Sequence, residues 1–392
     1  MSDMMDHAAI VPLIGGMALG ATAALGMKPE YLLSYSPFAG NDQHAVNYLS
    51  RPYFVLDRGE RHPKRVSLVT ALCPCAGLSA LSPAASSDSH NNEWMYRTAE
   101  HVLGEMKPKI FLGENAPQLA GKIGKPVRER LRKIGRDNGY SMSMLLTDSL
   151  LHGIGQVRNR SFYFFWEGDR VPMMRNIRKQ HTPIEQVILD SKQSPDPMMA
   201  LTNEKTPSQD PLYRYVLEEI EHCTHAEFAA RIPRTIGIMD HIEKHTDYAG
   251  LSTWLTERQF HRASEKAQRW HDKLQTGANI MRKNIEVPKD RITAFVGHVP
   301  SSLTHPVEDR FLTIREALTI MRLPGDFELL GGRKNLNHIC QNVPLTTAAD
   351  IVEEAVACAD GREWIQDPED IRIFDNRKEP RVKSSQVEDI FA

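Results

Sequence analysis

The chain has 392 residues, 41% of them hydrophobic and 25% charged, with a formal net charge of −2. That length allows two domains, the composition is ordinary globular, and the near-neutral balance excludes a bulk polyelectrolyte interaction, so any nucleic-acid contact must be made by local charge. Five cysteines (73, 75, 223, 340, 358) argue against a disulfide framework, and there is no apolar run of membrane length and no charged-then-apolar leader, so a cytoplasmic protein is expected.

In chain order, residues 1–8 read as a frayed end. Ile10–Ile14 reads as a strand that leads through the glycine turn Gly15-Gly16 into an Ala-rich helix over Ala21–Leu25, which Gly26 stops. Further strands are predicted at Tyr31–Tyr35, Phe54–Asp57 and Val66–Leu72. Pro74 ends the last of these and Gly77 lets the backbone turn. Cys75 therefore sits just past the carboxyl end of a strand, where open α/β sheets bind their ligands. Ala80–Asn92 is rich in Ser, Ala and Asn without a helical or strand period, and reads as a mobile loop. A helix follows over Trp94–Met106, then a strand over Lys109–Leu112 that runs into Glu114-Asn115. Val127–Arg136 is a basic helix whose charges read as a solvated face. A strand starts at Gly139, His152–Gly155 forms a turn, and Gln156-Val157-Arg158-Asn159-Arg160 opens the aromatic strand Ser161–Trp166.

After Trp166 the strand–helix alternation lapses until Phe311. Residues 169–300 are expected to form a smaller inserted domain, with a loop at Lys192–Pro197. Within it Arg258, Arg262 and Lys266 are spaced i, i+4, i+8, as on one helical face, in a stretch with excess positive charge. His222, Cys223, His225, His241 and His245 do not have the spacing of paired zinc-ligand knuckles, so no metal is expected. Ala348–Cys358 reads as a helix after Pro344, and residues 363–392 as a polar appendage.

Pro74-Cys75, Glu114-Asn115 and Gln156-x-Arg158-x-Arg160, in this order and spacing, resemble the DNA cytosine-5 methyltransferase family. Arg310-Phe311-Leu312-Thr313-Ile314-Arg315-Glu316 is similar to the family's Arg-x-Leu-Thr-x-Arg-Glu segment. Ile339-Cys340-Gln341-Asn342-Val343-Pro344 resembles its last motif, usually Ile-Gly-Asn-Ala-Val-Pro. The resemblance covers roughly residues 9–166 and 300–358.

The resemblance implies an α/β, Rossmann-like, S-adenosylmethionine-dependent methyltransferase fold with an inserted target-recognition domain. Residues 1–168 and 301–362 would form the catalytic domain and 169–300 the insertion. It implies Cys75, Glu114, Arg158 and Arg160 as catalytic residues. Donor contacts would come from Leu13, Ile14, Gly15, Gly16, Ser34, Tyr35, Asp57, Pro74, Met95, Gln341 and Asn342. DNA contacts would come from Ser79, Gln156, Arg258, Arg262 and Lys266. The implied substrate is double-stranded DNA with a flipped cytosine, with nucleoid association when bound and a cognate restriction endonuclease as a further partner.

Relatives carry an acidic residue at the end of the second strand to grip the donor ribose. Here Ser34 or Ser36 stands there, with Asp42 several residues on. Asp57 falls about where relatives bind the adenine amino group. Three alternatives keep the fold: an inactive DNA-binding relative, an RNA cytosine-5 methyltransferase, or an enzyme using a modified sulfonium donor. Some 145 residues separate Trp166 from the Leu312-Thr313 segment, which favours DNA over the small target domain of the transfer-RNA enzymes.

Overall fold

The computed structural model describes residues 5–63, 65–79, 85–191, 201–280, 282, 285–295, 299–360 and 363–378. Its strands are β1 (His7–Ile10), β2 (Leu32–Ser34), β3 (Tyr53–Val55), β4 (Leu68–Leu72), β5 (Ile110–Asn115), β6 (Tyr140–Asp148), β7 (Gln156–Val157) and β8 (Asn159–Glu167). Then come β9 (Arg170–Pro172), β10 (Ile236–Gly237), β11 (Glu286–Val287), β12 (Ile292–Thr293), β13 (Trp364–Gln366) and β14 (Arg372–Asp375). The helices of the first half are α1 (Gly16–Leu25), α2 (Gln43–Leu49), α3 (Glu93–His101), α4 (Lys125–Asp137) and α5 (Ile184–Leu189). They continue with α6 (Pro211–Tyr215), α7 (His225–Arg231), α8 (Ile238–Ile242), α9 (Tyr248–Glu257) and α10 (His261–Gln275). The last are α11 (Ile314–Ile320), α12 (Leu336–Cys340) and α13 (Leu345–Ala359).

Eight strands form one sheet in the order β14-β6-β8-β5-β4-β1-β2-β3. Only β8 runs against its neighbours, pairing antiparallel with both β5 and β6. β4 and β5 are buried at every position, which is why they read as continuous apolar runs. Residues from both ends of the chain complete this unit. α1 crosses α13 so closely that a Cβ on Gly20 would lie 2.4 Å from the Ala348 Cβ. One apolar cluster on the sheet includes Leu33, Val69, Phe111 and Phe164. A second, with Ile14, Leu32, Phe295, Leu312 and Phe327, joins the sheet to α11 and α12. The middle helices have their own cluster, including Tyr213, Phe228, Leu251 and Leu255, with Phe311 packed into it.

Several expectations are corrected. The first helix starts at Gly16, five residues earlier than read, because the glycine turn itself is its N-terminus. Of the expected loop 80–92, residues 80–84 lie outside the described residues, and His90–Asn92 is a 3-10 turn. The loop at 192–197 lies outside them too. The C-terminal appendage is part of the fold as far as residue 378: β13 pairs with β9, and β14 adds an eighth strand beside β6. Its short Ile-Phe-containing run reads as polar in isolation, but the β6 edge supplies a backbone partner that sequence inspection cannot see. The charges of α4 are also not merely solvated. Arg132 and Arg136 both hold Asp367 of this C-terminal segment, at 3.3 and 3.0 Å.

Candidate active site

Three strand ends converge on a cavity of about 600 Å³. Cys75 follows β4, Glu114 lies in the last turn of β5, and Arg160 opens β8, which is antiparallel and so begins at the edge where β4 and β5 end. All three line the cavity, with Ser79 and Pro74. Glu114 is 3% exposed, and Arg160 Nε meets its Oε1 at 2.7 Å. Burial raises the Glu114 carboxyl above its ordinary value, and the charges of Arg160 and Arg158 only partly oppose this. The Cys75 thiol is also raised, by burial and then by Glu114, while Arg160 and Arg158 pull it down. The effect of burial thus outweighs that of the two arginines. Asn115 holds the turn, with its Oδ1 accepting the Ala116 N–H at 2.9 Å.

Arg158 does not line the cavity. It is fully buried, with Nη1 donating to the Phe295 carbonyl at 3.0 Å and Nη2 to the carbonyls of Cys340 and Asn342 at 2.6 and 2.7 Å. Its charge still acts on Cys75, but its fork binds backbone, tying β7–β8 to the last motif. Gln156 is buried as well, with Nε2 against the Met321 sulfur at 3.8 Å, so it does not face a duplex. β7 pairs with β12, which turns that side chain inward.

The same cavity is also lined by Leu13, Phe38, Trp94, Asn337 and Gln341. Gly15, at φ +107°, turns the chain into α1, and the Gly16 N–H donates to Asn342 Oδ1 at 2.8 Å. A Cβ on Gly16 would come within 2.1 Å of the Val343 carbonyl oxygen, so only glycine fits this clasp. Asn342 thus positions the turn and does not line the cavity. Ile14 and Met95 are also corrected. Ile14 is buried in the second apolar cluster, and the Met95 sulfur packs on Asn115 Nδ2 at 3.2 Å. Trp94 takes the place expected of Met95, because one residue on a helix turns the side chain by about 100°.

Ser34 is fully buried. Asp42 is too, and both its oxygens are taken, by the Leu13 N–H and the Tyr53 hydroxyl, each at 2.8 Å. Buried in this way, Asp42 does not line the cavity and offers no carboxylate to a ribose there. Asp57 accepts both the N–H and the hydroxyl of Ser36, at 2.8 and 2.9 Å. It lines a second cavity of about 330 Å³ with Tyr35 and Arg97. Trp94 packs on Tyr35 and Phe38, at 5.2 and 4.8 Å between centroids, and Arg97 lies over Tyr35 and Trp94. Phe38, Trp94 and Asn337 carried no signal in sequence, since their places on the cavity wall depend on tertiary packing.

The basic stripe does not form as read. Arg258 caps α9, Gln259 turns through a left-handed φ of +65°, and Arg262 and Lys266 belong to α10. Arg258 also ion-pairs with Glu219 at 2.6 Å and stacks on Trp254. Arg262 and Lys266 are exposed. The histidines of the insertion have other partners: His225 lies between the Tyr213 hydroxyl and the His305 carbonyl, at 2.7 and 2.8 Å, and His241 meets Glu221 at 2.8 Å. Among the described residues no group of His, Cys, Asp and Glu is gathered as a metal site would require. None of their helices is long and apolar enough to cross a membrane.

The α/β sheet, with a cysteine, a carboxylate and an arginine at one edge and a glycine cradle beside them, defines a methyltransferase. A family model of C-5 cytosine-specific DNA methylases matches residues 56–356, most of the chain, and the chain belongs to that family. Its methyl donor is S-adenosylmethionine. The fold is similar to that of a protein described as a DNA modification methyltransferase encoded within an E. coli prophage. That likeness has a TM-score of 0.56 at 15% identity and covers 91% of this chain and 100% of that one. It is also similar to the Entamoeba histolytica methyltransferase EhMeth (TM-score 0.53, 11% identity, 91% and 99% covered). A third likeness is to the S. pombe Dnmt2 methyltransferase (TM-score 0.50, 11% identity, 90% and 98% covered). No curated protein sequence matches the chain.

Proposed function

We propose that this enzyme methylates carbon 5 of a cytosine flipped out of duplex DNA, through a covalent adduct on Cys75. The observation that carries this reading is the shared cavity: Cys75, Glu114 and Arg160 line it together with Leu13 and Gln341, which flank the glycine turn and its Asn342 clasp. Residues 169–300 act as the target-recognition domain and the rest of the described chain as the catalytic domain.

Carbon 5 of cytosine is a weak nucleophile and must be activated from carbon 6. The Cys75 sulfur adds there once its proton has left, which pushes charge toward ring nitrogen 3. Glu114, with its raised carboxyl, gives nitrogen 3 a proton or hydrogen bond. A neutral Glu114 also removes one of the effects that hold the Cys75 thiol up. Arg160 orients Glu114 and keeps positive charge beside the adduct. S-adenosylmethionine, when bound, supplies the electrophilic methyl. Loss of the carbon 5 proton to a base then expels Cys75 and restores the ring. A base stacked within a duplex cannot present its carbon 6 to a side chain in such a cavity, hence the flip.

The glycine turn is packed against Val343 and Asn342, and Leu13 and Gln341, which flank that clasp, line the cavity where the methionine end of the donor would sit. The ribose position lacks an available carboxylate, so binding is expected to be weak for the fold. Bisulfite-type sequencing of DNA from cells expressing the protein, with Cys75→Ser as control, tests the reading. Protected cytosines at a defined sequence, absent in the control, support it; identical patterns in both refute it.

A further inference from the structure

The eighth strand of the sheet ends at the reacting edge. β14 runs parallel to β6, with Asp375 opposite Leu146, so its carboxyl end emerges beside the end of β6 and the start of β8. The connection to the site is direct. Arg377 Nη1 donates to the Asn159 side-chain oxygen at 3.1 Å, the Asn159 carbonyl accepts from Arg160 Nη1 at 2.8 Å, and Arg160 meets Glu114 at 2.7 Å.

Around Arg377 two distant segments gather four exposed cations: Arg175, Arg178, Arg377 and Lys378. They are held in place. Asn376 is buried, its Nδ2 donating to the Thr147 hydroxyl at 2.8 Å and its Oδ1 accepting from the Ile177 N–H and from Arg178 Nη1, each at 2.8 Å. Arg178 also donates to the carbonyls of Ile177 and Lys378, at 2.8 and 2.9 Å. Its guanidinium is thus fixed by uncharged acceptors. Asp375 faces Arg377 at 2.9 Å and Lys378 at 3.8 Å, and Asp148 acts on Arg377 from further away. Glu354 is buried under the Arg175 N–H, and neighbouring Lys179 is offset by Asp350 at 2.7 Å. Glu353 also acts on Lys179, so the cations of the rim are largely balanced, and Arg178 is the one whose fork is held by carbonyl and amide oxygens alone.

We propose that this rim binds the phosphate backbone of the DNA whose cytosine enters at Cys75, gripping it from the catalytic side of the cleft. The proposal rests on the DNA reading above. Guanidinium forks match phosphate oxygens, and phosphate contacts set register and orientation without reading sequence. Arg377 and Lys378 lie in the turn that follows β14, Arg175 and Arg178 in the segment after β9, and the Asn376 clasp ties the two segments together.

The test measures binding of the full chain to a mixed-sequence duplex by fluorescence anisotropy over a range of salt concentrations. Arg175→Ala combined with Lys378→Ala is the first variant, because the Arg175 clasp uses its backbone and Lys378 lies only loosely against Asp375. The slope of log Kd against log salt should fall by about two, about one for each phosphate that is no longer neutralised, with melting temperature unchanged. Arg377→Ala should lower the slope by about one more and also reduce kcat, through Asn159 and Arg160. If wild type binds and methylates DNA but the double variant keeps the wild-type slope, the rim is refuted and the DNA reading stands. If wild type does not bind duplex DNA, or binds only folded RNA, both are overturned.

Discussion

Cys75 and Cys73 stand two residues apart in different surroundings. Cys73 is buried against the Thr98 hydroxyl and the Trp94 carbonyl, and burial pushes its thiol up to about 11. Cys75 opens onto the cavity beside Glu114 and Arg160. Cys75→Ser should abolish methyl transfer from labelled donor while leaving the fold intact, and Cys73→Ser should keep most of the activity. An essential Cys73 with a dispensable Cys75 would put the site in the wrong place. Glu114→Gln separates two effects of one carboxylate. Methyl transfer should fall by about 10²–10⁴, the usual range for a lost general acid. The Cys75 thiol should titrate lower, because Glu114 is one of the groups holding it up. Iodoacetamide alkylation rates against pH would reveal that shift, and an unchanged profile would show that Glu114 does not reach Cys75.

At the scale of elements, α2 and the turn before it carry two buried groups that titrate in opposite senses. Burial raises Asp42 from 3.8 to about 6, and burial with the neighbouring His338 lowers His44 from 6.5 to about 4. The His44 pair ties α2 to α12: Nε2 meets His338 Nδ1 at 2.9 Å, and Nδ1 accepts the Leu330 N–H at 3.2 Å. The His44 contribution to stability is complete above pH 6.5 and lost as pH falls through about 4. The Asp42 contribution runs the other way, complete below pH 3.8 and lost as pH rises through about 6. Each is worth at most about 3 kcal/mol at the 1.36 kcal/mol of a pKa unit. Melting temperature against pH should therefore flatten on the acid side in His44→Gln and steepen in Asp42→Asn. If neither variant changes the slope, the two histidines and Asp42 are not the titrating groups. α1 and α13 meet at the other clasp. Gly16→Ala should weaken donor binding well before it unfolds the chain, since the added methyl collides with Val343 and Asn342. Calorimetric titration of S-adenosylmethionine checks this, and wild-type affinity would show that the turn can move aside.

Over the whole molecule, the proposed donor pocket draws on both ends of the chain, and no exposed carboxylate follows β2 where the resemblance leads one to expect a ribose acid. Charge-assisted bonds are worth about 1.5–3 kcal/mol each, so losing the ribose acid should weaken binding by one to two decades at about 1.4 kcal/mol per decade. Asp57→Ala should weaken it further, by about 1–3 kcal/mol. Tight binding unaffected by that change would mean that other residues build the pocket.

Sequence alone determined the strands before Trp166 in chain order, the cysteine past β4, the carboxylate near the end of β5 and the arginines at the start of β8. These are local facts, set by apolar runs and the residues that stop them. It also marked Ser34 or Ser36 at the end of β2, where the resemblance leads one to expect an acid. Tertiary structure decided which way each side chain points. Arg158 and Arg160 are two residues apart in one motif, yet one clamps backbone and the other lines the cavity. Met95 and Trp94 exchange places through a single helical step. A left-handed turn at Gln259 breaks a basic stripe that its spacing had suggested. β14 joins the sheet because a backbone edge some 230 positions earlier is open to it. Spacing along a chain sets local periodicity, but strand pairing and side-chain direction depend on partners far away in sequence, which only the folded molecule brings together.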